Sequence, residues 1–299
     1  MARPTLKRLE RLLDPYYVTK GRKFRLADVA PDDTGGLKSE FKDDAKDLLA
    51  QGVQALSDAQ ERLYAQDRWG VLLIFQAMDA AGKDGTIKHV MSGVNPQGVQ
   101  VNSFKKPSEE ELDHDFLWRC ARVLPERGRI GIFNRSYYEE VLVVKVHEAL
   151  LERQRLPEQV RGKDFWHRRY QDIRGFERYL ARNGFLILKF FLHVSKKEQK
   201  RRFLERLDTP EKHWKFSAVD VAERAHWDDY ARAYEQMIRR TAAPHAPWLV
   251  VPADNKWFTR LIVAGAIVRA MSRLDLHFPR TTAARRRELA AARRSLARE

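Results

Sequence analysis

The run at residues 69–79, WGVLLIFQAMD, limits the fold of this chain more than any other stretch. It is continuously apolar rather than alternating, so an extended backbone there turns apolar side chains to both faces. Such a strand belongs inside a sheet that is covered on both sides, which is the setting of parallel strands. Parallel neighbours cannot be joined by tight hairpins and need crossover segments, usually helices. One short run therefore already asks for an α/β sandwich. It is well short of the ~20 apolar residues that span a membrane, and no run that long occurs in the chain.

Four further segments read as strands: residues 98–104 (GVQVNSF), 128–136 (GRIGIFNRS), 185–195 (FLILKFFLHVS) and 246–254 (APWLVVPAD). Helical patterns separate them. Residues 37–66 repeat apolar side chains at Leu48, Leu49, Val53, Leu56, Leu63 and Tyr64, as one helix or a pair. Ser108 and Glu111 form a capping-box pattern that opens a helix through residues 108–125. Residues 137–151 read as another helix. Trp166, Tyr170, Ile173, Phe176 and Leu180 share a face of one that ends at Gly184. Residues 196–243 read as charged helices and residues 256–274 as a last amphipathic one. The expected architecture is a three-layer α/β sandwich with a five-stranded parallel sheet. Residues 1–66 form an N-terminal extension with helices, 67–279 the core with a lid at about 196–243, and 280–299 a basic tail.

In parallel sheets, ligands sit at the carboxyl ends of the strands. After the first strand comes DAAGKDGT, residues 79–86. The pattern G-x-x-x-x-G-K-[ST] cradles phosphate with backbone amides at a helix N-terminus. Here Ala77 stands at the first glycine position and Asp84 at the hydroxyl position. The amides of Ala80, Ala81, Gly82, Asp84, Gly85 and Thr86 can still wrap an anion, Gly82 admits close approach, and Lys83 adds a point charge. Without the hydroxyl, a Mg²⁺ ion needs another oxygen, from Asp79 first or Asp84 next.

After the third strand, FNRSYYEE places Arg135 beside the loop, suited to bidentate phosphate contact, and Glu139 one turn on, suited to a metal or its water. The alternative is that Arg135 and Glu139 only pair with each other. Asn134 offers a neutral oxygen where many phosphate-loop enzymes carry an aspartate. Lys105 and Lys106 suit an acceptor's phosphate and Phe104 its base, or equally a turn and the core. Lys197, Lys200, Arg201 and Arg202 cover a cationic helix face suited to a lid over phosphates. His114 between two aspartates lacks the i, i+3 or i+4 spacing of helical metal ligands. The tryptophans Trp118, Trp214, Trp227 and Trp257 read as packing. No Ser-His-Asp or Cys-His set stands out.

The formal net charge of +15 over 299 residues points to an anionic partner. A single cysteine, Cys120, excludes an internal disulfide and reads as core. The basic start MARPTLKRLERLL lacks the apolar centre of a signal peptide, so a cytoplasmic location is expected. Nucleic-acid binding through the tail is the rival role for the charge; it predicts binding that salt weakens steeply.

From about Lys20 to Pro279 the chain resembles the polyphosphate kinase 2 family. The likeness is carried by LLIFQAMDAAGKDGTIKHVMSGVNPQGVQVNSFKKPSEEELDHDFLWR, GIFNRSYYEEVLVVKVH, LKFFLHVSKKEQKRRFLERL, PEKHWKFS and HAPWLVVPADNKWF. It implies a P-loop kinase-like fold similar to thymidylate kinase. It also implies reversible, Mg²⁺-dependent phosphoryl transfer between inorganic polyphosphate and nucleotides, with Mn²⁺ as a substitute ion. Carried over, Asp79 binds metal, Gly82 and Lys83 hold phosphate, and Arg135 with Arg201 or Arg202 contacts the transferring phosphates. Asn134 in place of the aspartate of DRSxY members resembles the subfamily using both nucleoside mono- and diphosphates, in which Glu139 handles metal and acceptor. The expected partners are polyphosphate, AMP, ADP and ATP, in a homo-oligomer, with no membrane and no specific nucleic acid. Arg174 departs from an asparagine common in the family, and residues beyond Pro279 lie outside the likeness.

Overall fold

In a computed structural model that describes residues 11–299, the apolar runs become one sheet. Its strands are β1 (Tyr17–Val18), β2 (Gly70–Gln76), β3 (Val99–Ser103), β4 (Ile130–Asn134), β5 (Phe185–His193) and β6 (Trp248–Pro252). Their order is β1-β6-β5-β2-β4-β3. The five strands expected from sequence, β2 to β6, pair in parallel. The expected count falls short by β1, which pairs antiparallel with β6 through Tyr17–Leu249 and Val18–Trp248. Two residues are too few to leave a period in the sequence.

The central strand β2 is buried at every residue, as its continuous apolar run predicts. Val71, Leu73 and Phe75 of β2 enter one apolar cluster, while Leu72 and Ile74 enter another on the opposite face. Each such side chain contributes roughly 1.5–3 kcal/mol by burial. The first face is covered by α1 (Lys42–Gln66), α2 (Lys83–Val90) and α6 (Lys256–Met271). The second is covered by α3 (Phe165–Arg182) and α5 (Trp227–Thr241). α6 is not amphipathic as expected: it lies between the sheet and α1 and is buried almost all round.

α1 is one helix, with Asp43 and Asp44 at its positive end, and it stops where Asp67 turns left-handed. Gly184, at φ +81, takes the sharp turn from α3 into β5. Two expected helices are broken. The capping box of Ser108 and Glu111 forms, but only Glu109–Asp113 and Trp118–Ala121 are helical. Residues 137–151 divide into a 3-10 turn at Tyr137–Val141, a single α-turn at Val143–Val146 and a further 3-10 stretch at Glu148–Gln154. The β-branched run VVKV is a weak helix former and gives way to packing.

The segment 196–243, expected from sequence to form a lid, also divides. α4 (Lys196–Leu207) and the short turns to His226 overhang the strand ends, whereas α5 is built into the core through Met237 and Ile238. α7 (Ala283–Leu296) is exposed along its length. Among the described residues, no helix is long and apolar enough to cross a membrane.

Candidate functional site

From β2 the chain runs out to β3 at one edge, steps back to β4 beside β2, and then crosses to β5 and β6 on the other side. A crevice opens at the carboxyl end of β2, where that direction reverses. The loop after β2 fills it. Ala80 at φ 58 and Gly82 at φ 104 turn the backbone left-handed. Those turns bring Lys83 to the start of α2, whose first-turn amides have no acceptor within the helix. Lys83 donates to Ala77 O at 2.9 Å and is only 9% exposed. Burial, and then Arg135, push its ammonium down to about 8.

α4 clamps the loop from the other side. Arg202 donates through Nη1 to Ala80 O (3.1 Å) and Ala81 O (2.7 Å). Through Nη2 it reaches Ala253 O (2.5 Å) and Asp254 O (3.2 Å), and through Nε Glu198 (2.7 Å). Gln199 donates to Asp79 O at 2.9 Å. With its carbonyls taken in this way, the loop offers a ligand its amides.

Arg135 follows β4 in a left-handed turn at φ 65, its N–H bonded to Phe75 O at 3.0 Å. Its guanidinium bridges Asp79 (2.8 Å) and Glu139 (3.2 Å) and is 39% exposed. Glu139 also accepts from Gln76 Nε2 at 2.9 Å. Asn134 Nδ2 donates to Asp84 Oδ1 at 2.7 Å, so its amide is tied to the loop. The pairing of Arg135 with Glu139, one of the alternatives raised by the sequence, is present.

Two cavities meet here. A cleft of about 690 Å³ runs over the loop, lined by eight cationic side chains against four carboxylates. A neighbouring cavity of about 440 Å³ has a more apolar wall, including Leu112, Phe116, Val143 and Leu150. Phe104, Lys105 and Arg135 line both. Phe104 packs edge-on against Phe133, with their centroids 5.0 Å apart.

Of the residues singled out in the sequence, Asp79 to Thr86, Phe104, Lys105, Asn134, Arg135 and Arg202 line the cleft. Lys106 and Glu139 line the neighbouring cavity. Lys200 and Arg201 line neither. Arg201 faces outward, paired with Glu198 and Glu205, and Lys200 is exposed. Arg202 is 5% exposed, and its backbone bonds make it a brace for the loop. Trp214, read as packing, is instead 79% exposed at the cleft rim. Sequence reasoning missed Lys212, Lys256 and Arg260, which also line the cleft. The last two stand four residues apart at the start of the helix after β6, and the strand-end rule could have flagged them.

Comparison with known proteins matches residues 39–279 to the family model described as Polyphosphate kinase 2. Over 86% of the chain it is 57% identical to an ADP-polyphosphate phosphotransferase of Rhodopseudomonas palustris, covering 89% of that protein. Over 88% it is 46% identical to an AMP/ADP-polyphosphate phosphotransferase of Meiothermus ruber, covering 94% of that protein. The crystal structure of a Polyphosphate Kinase 2 from Arthrobacter aurescens TC1 superposes with a TM-score of 0.84 at 41% identity, over 94% of this chain and 96% of that one.

Proposed function

The chain belongs to the polyphosphate kinase 2 family, and from that premise we propose that it transfers the terminal phosphoryl group of inorganic polyphosphate to AMP and ADP, reversibly. One observation carries the reading: Arg135 lies in the wall shared by the two cavities, with Lys83 in the cleft beside it. The cleft is cationic and suits a donor that consists only of phosphate. The neighbouring cavity has an apolar wall and the volume for a nucleoside. The phosphoryl group passes at their junction.

An acceptor phosphate oxygen is already anionic, so no general base is needed. The barrier is the approach of two polyanions and the charge on the transferring group. Lys83 and the loop amides hold the donor's end. Asp79 and Glu139 fix the plane of Arg135, whose remaining N–H groups stabilise the group in flight. Phe104 and the neighbouring apolar wall orient the nucleoside, and Lys105 and Lys106 take its phosphate.

The residues present fit Mg²⁺, with Mn²⁺ equivalent in donor preference. Asp79 and Glu139 are hard oxygen donors on either side of Arg135. Among the described residues, no three acidic, histidine or cysteine side chains form a ready cage. Mg²⁺ commonly takes one or two carboxylates and completes its shell with phosphate and water. When bound, such an ion neutralises charge on the phosphate oxygens.

The test is product analysis with polyphosphate as sole donor and Mg²⁺ present, against a panel of nucleoside mono- and diphosphates. ADP from AMP and ATP from ADP are expected. Product from diphosphates alone narrows the acceptor, and equal use of ATP as donor points to an ordinary nucleotide kinase. No product from any acceptor ends the proposal.

A further inference from the structure

A third cavity, of about 1000 Å³, shares no residue with either part of the candidate site. β1 fixes its position. Because Val18 pairs antiparallel with Trp248, the chain after Val18 continues past the beginning of β6, away from the strand ends that carry the cleft. There Lys20–Arg22 meets the end of α5, the face of α3 and the turn before β6. A Cβ on Gly21 would collide with the Arg239 carbonyl, so this wall is closely packed.

Lys20, Arg22, Lys145, Arg174, Arg239 and Arg240 line the cavity, against one carboxylate, Glu235. Glu235 is already engaged: it accepts the Leu26 N–H at 2.8 Å and lies 3.5 Å from Arg239. Among the described residues, Arg239 is the only one of the six cations with a carboxylate within 4.0 Å. Lys145 forms the inner part. Its ammonium donates to Tyr170 Oη (3.2 Å) and Gln236 Oε1 (2.5 Å) and lies 5.6 Å from the Trp166 ring. Burial, and then Arg240, push it below the ordinary lysine range. His245 Nε2, on the same wall, is buried with no hydrogen-bond partner.

Surface cations normally spread apart or pair, and convergence in a concavity raises the local potential for an anion. A single phosphate would engage only part of so wide a ring of charge. We propose that this rear cavity is a second site for inorganic polyphosphate, holding a stretch of the donor chain several phosphates long. The proposal rests on the reading of the donor given above. A long chain caught at the rear stays near the enzyme after its end leaves the cleft, which raises the effective concentration of donor ends. A donor too short to reach both sites gains nothing.

The test uses the full chain and two variants, Lys145→Gln with Arg240→Gln, and Arg240→Glu alone as an exposed substitution that spares the packing. Calorimetry with inorganic tripolyphosphate should resolve two sites in the unaltered protein and one in each folded variant. With polyphosphate of about 100 phosphates, KM should rise roughly five-fold while kcat stays constant, and KM for tripolyphosphate should not move. Two sites remaining in the variants overturns the proposal. So does loss of one site with no change in KM for the long donor, or a KM change equal for both donors. Displacement of rear-bound tripolyphosphate by ATP, without dependence on donor length, would assign the cavity to a nucleotide instead. If the unaltered protein binds two tripolyphosphates yet transfers nothing, the functional reading falls while the rear anion site stands.

Discussion

Two clusters of cation and carboxylate behave in opposite ways. In the core, Lys189 and Glu177 are 0% exposed and 2.7 Å apart. Lys189 gives its other two bonds to Tyr138 Oη and Thr241 O, each at 3.0 Å. Glu177 accepts from Tyr137 (3.0 Å) and Tyr138 (2.7 Å). Lys189 has three donors and three acceptors, so nothing is left for a ligand. At the cleft, Arg135 binds Asp79 and Glu139 yet is 39% exposed and keeps spare N–H groups. The closed cluster is saturated and the open one keeps donors to spare. They are joined covalently, because Tyr137 and Tyr138 lie between Arg135 and Glu139. A saturated core network thus anchors the turn that presents the unsaturated one.

Four measurements test that contrast. The largest effect is expected on the open side: Lys83→Ala should lower phosphoryl transfer by about three orders of magnitude, roughly 4 kcal/mol of barrier, with little change in unfolding temperature. Near-normal turnover would remove Lys83 from the site. On the closed side, Glu177→Gln leaves the Lys189 ammonium buried without its counter-charge. It should cost about 3 kcal/mol in urea unfolding, and joint replacement of both by apolar residues should recover much of that. A loss under about 1 kcal/mol would mean that the core pair is not the anchor.

Glu139→Gln should reduce transfer about thirty-fold and move the Mg²⁺ dependence to higher concentration, with stability unchanged. An unaltered Mg²⁺ curve would take Glu139 out of ion handling. The smallest effect concerns His193, at the end of β5. Burial pushes its imidazole down to about 4 from an ordinary 6.5. As pH falls below about 6.5 the unfolded chain binds the proton first, so stability that is whole above that pH is lost progressively toward pH 4. Between pH 7 and 5 the unaltered protein should lose about 1–2 kcal/mol more than His193→Phe, and equal losses would refute the assignment.

Much of this was legible in the sequence, for physical reasons. The central strand declared itself because burial on both faces leaves no polar alternation. The loop after β2 stood out because glycine and lysine at a strand end have few other uses together, and its residues do line the cleft. β1 was too short to carry a period. Lys189 sits in an apolar strand and Glu177 in a charged helix, and no local pattern reveals that they meet. Arg202 was grouped with Lys200 and Arg201 because a linear run of charge does not say which side chain points inward. Helical spacing turns it toward the strand ends, where Asp254 and the Ala80–Ala81 carbonyls wait.

That inward arginine has a mechanical consequence. Its guanidinium fastens the middle of α4 to the turns after both β2 and β6, so tilting this helix as a rigid lever would tear bonds from two places at once. Any widening of the entrance must therefore originate past Leu207, in the Asp208–Thr209 elbow and the turns beyond it. A linear substrate would then be fed in endwise, like thread through an eye, rather than dropped in beneath a raised cover.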